Sequence, residues 1–172
     1  MRGISLVACL GLAACSQQPG ATADNPLGLK LDEKGAIAAC MSPEEERTPA
    51  VQFAPERRLQ IIACIQAQAA QQVRPQLPQQ VDPMTTLADI SAEGTMLTYH
   101  QTVNLDATTT SAATLEQIEA RVRAYVCGQS QMRETIDMGG GYTYRWTDRN
   151  GRPLHEVRID RCGAGATGPV KL

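Results

Sequence analysis

The chain has 172 residues, a formal net charge of −2 at pH 7 and few aromatic residues, with one Trp, one Phe and four Tyr. This length fits one domain with a small appendage, and the nearly balanced charge excludes the dense cationic surface by which proteins bind nucleic-acid backbones. Because large aromatic side chains are scarce, the core must depend on aliphatic residues and on covalent cross-links.

The N-terminal segment is typical of a secretory signal peptide. Arg2 supplies a positive charge, and residues 4–14 form an apolar run that is too short to span a bilayer as a helix. We therefore expect residues 1–14 to be removed during export. Export places the mature chain in an oxidising compartment, where disulfide bonds persist.

The end of this run, Leu-Ala-Ala-Cys over residues 12–15, resembles the lipobox of bacterial lipoproteins. The resemblance implies that the Cys15 thiol accepts a diacylglycerol and that Ser16 directs the protein to the periplasmic face of the outer membrane. Several acyl chains together give stable anchoring in the membrane. Leu-Val-Ala-Cys over residues 6–9 fits the same pattern, but lipidation of Cys9 leaves only a few apolar residues for the export machinery.

Four cysteines remain once the signal peptide is removed and the lipobox cysteine is lipidated: Cys40, Cys64, Cys127 and Cys162. Four cysteines permit three connectivities. The division of the chain into two halves favours one bridge within each half, from Cys40 to Cys64 and from Cys127 to Cys162. A zinc site or a thiol redox motif is not expected, because the chain has no Cys-x-x-Cys pair and only two histidines.

The first half of the mature chain is expected to be helical. A lipidated N-terminus and flexible tether over residues 15–30 precede a short helix predicted at residues 31–41. Ser42 and Glu45 match a capping box, which predicts a second short helix. Apolar residues recur at helical spacing over residues 55–73, and this predicts a long helix.

The glutamines of that long helix, including Gln66, are expected to lie on its solvated surface. Prolines then follow at short intervals and prevent the helix from continuing past Arg74. They mark an extended, Pro- and Gln-rich connector over residues 75–84. The connector divides the mature chain into a helical segment and a second, mixed part.

The second part has the order strand, strand, helix, helix, strand, strand. The first two strands are predicted at residues 85–91 and 96–105, and a two-residue loop at 93–94 places Ile90 opposite Leu97. A helix follows, with a capping box at Thr114 and Gln117 and an apolar stripe from Leu115 to Val126. A second short helix carries Met132 and Ile136 and ends at the glycines of residues 139–141.

The last hairpin has the clearest local pattern. Aromatic residues alternate with polar ones over residues 142–147, and Asn150-Gly151 supplies a turn that accepts positive φ. A two-residue turn there predicts four cross-strand pairs: Trp146 with His155, Tyr144 with Val157, Tyr142 with Ile159, and Arg145 with Glu156. A four-residue loop shifts every pair by two residues and leaves the two faces of the hairpin unchanged.

The two faces of this hairpin suggest different roles. The aromatic row could be a recognition surface, but it is better explained as core, because the helical stripes need a sheet face to cover. Arg145, Glu156 and Arg158 on the opposite face are the candidate binding residues, although mixed charge on a strand is usually only solvated. His155 is expected to be a packed or rim histidine, since no carboxylate lies at an obvious spacing.

No set of residues predicts catalysis or a bound cofactor. A catalytic site needs a nucleophile, a base and an orienting group, and the sequence shows no such trio. It also lacks a phosphate-binding Gly-rich loop and an acidic metal motif. We therefore expect a protein that is not an enzyme and has no catalytic residues, metal, cofactor or small-molecule substrate.

From Thr85 to Cys162 the pattern resembles a family of small uncharacterised exported bacterial proteins. The residues that carry it are Thr-Thr-Leu and Leu-Thr-Tyr strands, a helix ending in Cys127, and Gly-Tyr-Thr-Tyr-Arg-Trp-Thr-Asp from Gly141 onward. The resemblance implies an α+β fold and supports the second disulfide, but it implies no activity. In its layout the whole protein is also similar to periplasmic immunity lipoproteins, although the Ser-Gly-x-x-Tyr loop of lysozyme-inhibiting lipoproteins is missing.

The expected fold is α+β, with a small antiparallel sheet of two hairpins in ββααββ order, packed by helices, preceded by a helical segment and braced by disulfides. The expected segments are a signal peptide (1–14), a lipidated tether (15–30), a helical segment (31–74), a connector (75–84), an α+β domain (85–165) and a tail (166–172).

The function that the sequence favours is binding of another envelope protein at the outer membrane. Its most concrete form is an immunity or inhibitor protein that acts against an envelope-targeting toxin. The alternative is a pilotin-like accessory in the assembly of a secretion system, for which the helix at residues 55–73 carries the binding surface. A neighbouring toxin gene favours the first role, and neighbouring secretion genes favour the second.

Overall fold

A computed structural model describes residues 29–49 and 52–163 of the chain. The predicted signal peptide, the lipidation of Cys15, all but the end of the tether and the tail at 166–172 lie outside these residues. Within them, the helices are α1 (Glu33–Cys40), α2 (Pro55–Val73), α3 (Ala112–Gly128) and α4 (Ser130–Asp137). The predicted α+β class is confirmed.

The helix starts follow from local chemistry. The Asp32 side chain accepts a hydrogen bond from the Gly35 N–H at 2.9 Å and caps α1, and Pro55 begins α2 at a position where no N–H is needed. The predicted cap of α3 at Thr114 is wrong. Ser111 caps this helix by accepting the Thr114 N–H at 3.2 Å, because helix propensity extends the helix over the alanines that precede Thr114.

The capping box at Ser42 is confirmed, but the element that it starts is only a 3₁₀ turn, Glu45–Arg47. The Ser42 N–H donates to the Glu45 carboxylate at 2.8 Å, and the Glu45 N–H donates to the Ser42 hydroxyl at 3.2 Å. Arg57 of α2 then donates to the same carboxylate at 2.7 Å. The Arg57 guanidinium, with the Ser42 N–H, lowers the pKa of Glu45 to about 2. The ion pair between Glu45 and Arg57 therefore holds this turn against α2.

The strands form one five-stranded sheet in chain order: β1 (Gln79–Asp82), β2 (Thr85–Glu93), β3 (Met96–Val103), β4 (Gly141–Thr147) and β5 (Pro153–Ile159). Both predicted hairpins and the ββααββ order are confirmed. The sheet is not wholly antiparallel, because β3 and β4 pair in parallel. A parallel pair needs a long crossover connection, which α3 and α4 provide. The predicted connector at 75–84 also contains β1, an added strand.

The first hairpin turns one residue later than predicted. The loop begins at Gly94, which has φ +54°, and Ile90 lies opposite Tyr99 rather than Leu97. Two-residue hairpin loops favour a positive φ at their first residue, and glycine adopts it without steric cost. The turn therefore forms where Gly94 can take that position, and the register follows from it.

The second hairpin has the four predicted pairs: Trp146 with His155, Tyr144 with Val157, Tyr142 with Ile159, and Arg145 with Glu156. Its loop is wider than two residues. Thr147 pairs with Pro153, so that Leu154 is an extra residue in β5 and forms a β-bulge. The prediction is confirmed for the strands and wrong for the length of the loop.

All four helices lie on one side of the sheet. Helix α2 packs over β2 and β3, α3 packs beside β5, and α1 packs on the outside of α2. The most deeply buried apolar side chains, at 2% exposure or less, are Ile90, Leu87, Val73, Val126, Val157 and Ile159. The opposite side of the sheet has no helix over it in the part of the chain described. We call this side the open face.

The two disulfides join the elements as the division into halves predicted. The bond between Cys40 and Cys64 links α1 to α2, and the bond between Cys127 and Cys162 links the end of α3 to the segment after β5. Each bridge therefore attaches a helix to a neighbouring element within its own half of the chain.

The expectation that the glutamines of α2 lie in solvent is wrong for Gln66. This side chain is 3% exposed, and its amide donates to the Thr95 carbonyl at 2.9 Å and to the Gly141 carbonyl at 3.3 Å. It joins α2 to the β2–β3 loop and to the start of β4. A buried amide satisfies strand-end carbonyls that apolar neighbours cannot, so Gln66 belongs to the interior.

Candidate functional site

A groove runs along one flank of α2, where the helix lies above the edge of β2. Its volume is about 520 Å³, and it is lined by Ala67, Ala70, Gln71, Arg74, Pro75 and Ala92. Three of these residues are alanines, and their short side chains leave the space open. The groove lies on the helix that the sequence predicts to carry a binding surface.

The floor of the groove borders a stretch of β2 that has no strand beside it. Strand β1 pairs only with residues 85–87 of β2, whereas β2 continues to Glu93. The chain before β1 cannot extend the pairing, because Pro78 has no N–H and the preceding residues 74–76 form a 3₁₀ turn. Among the described residues, positions 88–93 of β2 therefore form a free strand edge.

Arg74 is the side chain that contacts this free edge. Its Nη2 donates to the Ile90 backbone carbonyl at 3.0 Å, and its Nε lies 3.4 Å from the Asp89 carboxylate. The Arg74 and Asp89 side chains are 60% and 52% exposed, so their ion pair contributes little to stability. The bond to Ile90 shows that this carbonyl points into the groove.

The lining residues of the groove form no recognised sequence motif, although a pattern among them is present in the sequence. Ala63, Ala67, Ala70 and Arg74 recur every three or four residues and so lie along one side of α2. A stripe without bulky side chains leaves room beside a helix. Its significance depends on the neighbouring strand edge, which the sequence does not reveal.

The predicted binding residues lie on the open face and are in part brought together. Arg145 donates to Glu156 at 2.6 Å across β4 and β5, and both side chains are about half exposed. Arg158 instead pairs with Asp160 at 3.2 Å, farther along β5. The role of these residues in binding stays a prediction, and their pairing satisfies much of their charge.

Two β-bulges lie beside a cavity near Arg145. One inserts Ala88 into β2 and the other inserts Leu154 into β5, and both residues line a cavity of about 450 Å³. Thr102 and Thr147 lie in this cavity with their hydroxyl oxygens 3.3 Å apart. The cavity therefore offers short polar groups and one ion pair.

The two histidines have separate partners. His100 on the open face lies 2.9 Å from the Ser91 hydroxyl. His155 is 27% exposed, as expected of a rim histidine, and lies 3.4 Å from the Glu119 carboxylate of α3. Glu119 is 36 residues away in the sequence, so only the packing of α3 beside β5 brings the two together.

The aromatic row belongs to the core. Tyr142, Tyr144 and Trp146 are at most 7% exposed on the helix-covered side of the sheet. Their rings are stacked. The centroid of the Tyr144 ring lies 4.9 Å from that of Tyr99 in β3 and 5.8 Å from that of Trp146. Burial raises the pKa of Tyr99 and of Tyr144 well above the usual range. The interpretation of this row as core is confirmed.

The carboxylate of Asp148, in the β4–β5 loop, is fully buried. It accepts the backbone N–H groups of Asn150 at 2.8 Å, Arg152 at 2.9 Å and Ala107 at 3.2 Å. Burial alone raises the pKa of a carboxyl group, but these donors and the Arg152 guanidinium lower the pKa of Asp148 to about 2. Through these bonds the Asp148 carboxylate stabilises the conformation of the β4–β5 loop.

We expect Asp148→Asn to lower the melting temperature most at neutral pH. The folded-state pKa lies below the reference value of 3.8, so the charge stabilises the fold above pH 3.8 and this contribution is lost as the pH falls through about 2. The difference in melting temperature between wild type and variant should therefore shrink between pH 5 and pH 2. The exposed Asp137→Asn variant is the control, and a constant difference for Asp148→Asn contradicts the prediction.

Within residues 29–49 and 52–163, no cluster of three or more His, Cys, Asp or Glu side chains is arranged to hold a metal ion. None of the helices described there is long and apolar enough to cross a membrane.

No protein-family model matches the chain, and no curated protein matches its sequence. Solved structures match its fold. A protein described as secreted, PA3611 of Pseudomonas aeruginosa, is 17% identical with a TM-score of 0.53, and the match covers 63% of this chain and 95% of that one. The type 2 secretion system pilotin EpsS of Vibrio vulnificus is 16% identical with a TM-score of 0.54, covering 67% and 99%.

The type 2 secretion system pilotin AspS of Vibrio cholerae is also similar. It is 16% identical with a TM-score of 0.51, and the match covers 62% of this chain and 95% of the pilotin. At these identities the three structures establish a shared α+β fold. They do not by themselves transfer a function.

Proposed function

We propose that this protein is an exported lipoprotein that serves as a pilotin-like accessory of a type 2 secretion system by binding one of its envelope components. The observation that carries the proposal is the fold shared with two pilotins over 95% or more of each pilotin chain. These comparisons support the alternative role from the sequence better than the immunity role that the sequence favoured.

The groove along α2 supports the same role. The sequence predicts that a pilotin-like protein uses the helix at residues 55–73, and the described structure has an open groove on that helix. The open-face cavity is the weaker candidate, because the Arg145–Glu156 ion pair already satisfies its charged groups. We therefore assign partner binding to the α2 groove.

The point where the chain enters the domain is compatible with a lipid anchor at Cys15. Leu29 is 7% exposed in the core, and Gln76 exchanges two hydrogen bonds with the backbone of Lys30 at 2.9 and 2.8 Å. Gln72 accepts the Asp32 N–H at 2.7 Å. Fourteen residue steps separate Cys15 from Leu29, a reach of at most about 50 Å when fully extended. A tether of this length lets the domain reach a partner above the membrane.

We also propose that the protein is not an enzyme. The two carboxylates whose pKa is lowered to about 2, those of Glu45 and Asp148, are held by structural partners outside both cavities. A perturbed carboxylate in a cleft is the usual sign of acid–base chemistry. Non-covalent binding to a protein partner is the function that this arrangement supports.

Deletion of the gene in the source bacterium tests the role. We expect the deletion to reduce secretion through the type 2 system, wild type to restore it, and Cys15→Ala to fail, because the variant lacks the anchor. The readouts are exoprotein activity in the medium and the membrane fraction that contains the secretion channel. If Cys15→Ala restores secretion fully, the lipid anchor at Cys15 is wrong.

The immunity role gives a different result in the same strain. Secretion then remains normal, while the deletion strain becomes sensitive to a cell-wall-degrading toxin that the purified protein inhibits. That pair of results contradicts the pilotin-like role.

A further inference from the structure

We propose that the α2 groove binds its partner by strand addition. An extended peptide segment pairs with the free edge of β2 at residues 88–93, in line with β1, which occupies the same edge at residues 85–87. This inference rests on the proposed function, for which it supplies the mode of recognition. The segment carries small, uncharged side chains on the side that faces α2.

The backbone of β2 supplies the hydrogen-bonding groups for such a strand. In an antiparallel pair, residues alternate between those whose N–H and C=O both point to the partner strand and those whose groups point away. The Ile90 carbonyl accepts a bond from Arg74 on the groove side. Ile90 therefore belongs to the residues whose N–H and C=O point away from β3, which we call the outward set. Ala92, two residues on, belongs to the same set, whereas Ser91 and Glu93 face β3.

The outward groups of this set are largely unused. Among the described residues, the Ile90 N–H and the Ala92 N–H and C=O have no strand beside them, since β1 pairs only as far as Leu87. Arg74 provides one side-chain donor to the Ile90 carbonyl, at the place where an added strand supplies a backbone N–H. Extended peptides gain affinity from such backbone bonds, and side-chain pockets provide specificity.

The helix above the edge selects the side chains of the added segment. Alternate residues of an extended strand point to opposite faces of the sheet, so every second residue of the segment points toward α2. There it meets Ala67, Ala70 and Ala92, whose short side chains leave a groove of about 520 Å³. Beside these alanines the space fits small aliphatic side chains. The charged lining residue, Arg74, already bonds the Ile90 carbonyl and pairs with Asp89.

A helical partner segment fits this site less well than an extended one. A helix satisfies its own backbone groups internally and leaves the outward N–H and C=O groups of β2 without partners. An extended segment satisfies them and fills the groove together. The hydrogen-bonding pattern therefore favours an extended occupant over a helical one.

Amide hydrogen exchange on the folded protein distinguishes these binding modes. The probes are overlapping twelve-residue synthetic peptides that cover the exported components of the type 2 secretion system, and a phage-displayed random twelve-residue library. With a bound peptide at saturation, we expect exchange at Ile90 and Ala92 to slow at least tenfold. Ser91 and Glu93, which already pair with β3, should change little.

Two variants test the groove itself. Ala67→Trp fills the groove from an exposed position of α2 and should weaken peptide binding at least tenfold. Gln60→Trp, two helical turns away on the same flank and outside the groove, is the matched control and should bind as wild type does. Ala92→Pro removes one outward N–H on a strand edge, a place where proline is tolerated, and should also weaken binding.

The outcomes separate the groove from the proposed function. If library peptides bind with the expected exchange pattern and no secretion-system peptide does, strand addition is supported and the pilotin-like role is not. If secretion-system peptides bind but exchange at Ile90 and Ala92 is unchanged, the role is supported and strand addition is overturned.

Two further results also overturn strand addition by a partner peptide. One is the failure of both peptide sources to yield a binder that Ala67→Trp weakens. The other is concentration-dependent protection of Ile90 and Ala92 in the protein alone, together with a dimer in light scattering, because the edge then pairs with a second copy.

Discussion

Removal of the second disulfide by the paired substitutions Cys127→Ala and Cys162→Ala is expected to lower the free energy of unfolding by about 4 kcal/mol. The bond closes a loop with a sequence separation of 35 residues. A cross-link of this span lowers the conformational entropy of the unfolded chain, which stabilises the folded state by about 4 kcal/mol. It also holds α3 against the segment after β5. Urea unfolding followed by circular dichroism measures the change.

The first disulfide provides a comparison for this prediction. The bond between Cys40 and Cys64 spans 24 residues and holds α1, which packs on the outside of α2 and not on the sheet. Its removal should free α1 and leave the sheet folded. If loss of either bridge unfolded the sheet equally, the second disulfide would have no special role in joining α3 to the sheet.

Trp146→Ala is expected to destabilise the protein by about 3 to 5 kcal/mol, the usual cost of truncating a buried large aromatic side chain. Trp146 is 4% exposed and stacks with Tyr144 at 5.8 Å and with His155 at 6.1 Å. It is the one Trp of the chain, so its truncation leaves a cavity that no second indole fills. Chemical denaturation provides the measurement, and Trp146→Phe should recover part of the loss.

Arg145→Ala is the matched control for the tryptophan variant. Arg145 is the adjacent residue of β4, but it lies on the open face in an ion pair whose two side chains are 53% and 54% exposed. Exposed ion pairs contribute about 0.2 to 1 kcal/mol. An equal loss of stability in the two variants would show that the aromatic row is not the structural side of the sheet.

The second disulfide and the aromatic row lie in a different region of the protein from the α2 groove. The disulfide of α3 and the aromatic row stabilise the half of the sheet that contains β4 and β5, whereas the groove lies between α2 and the edge of β2. Substitutions in the first region should reduce the amount of folded protein. Ala67→Trp in the second should reduce binding while the fold remains, so the two classes of variant are separable.

The amino-acid sequence alone determined the local elements of this fold. The spacing of apolar residues predicted α2 over the residues that it occupies, and the alternation of Tyr142, Tyr144 and Trp146 predicted both the strand and its buried side. The division of the cysteines between two halves favoured the correct disulfides. These features depend on residues that are close in sequence, where periodicity and turn chemistry act directly.

The tertiary structure decided which elements became neighbours. The parallel pairing of β3 with β4, the burial of Gln66 and the contact of His155 with Glu119 each join residues far apart in the chain. No local pattern encodes them, because they depend on the crossover through α3 and α4 and on how α2 packs on the sheet.

The free edge of β2 is the clearest example of a feature that only the tertiary structure decided. The sequence showed prolines and an alanine stripe, but the edge exists because β1 begins only at Gln79, opposite Leu87, while β2 continues to Glu93 beside α2. Strand lengths and neighbours set where backbone groups remain unpaired, and these are properties of the assembled sheet.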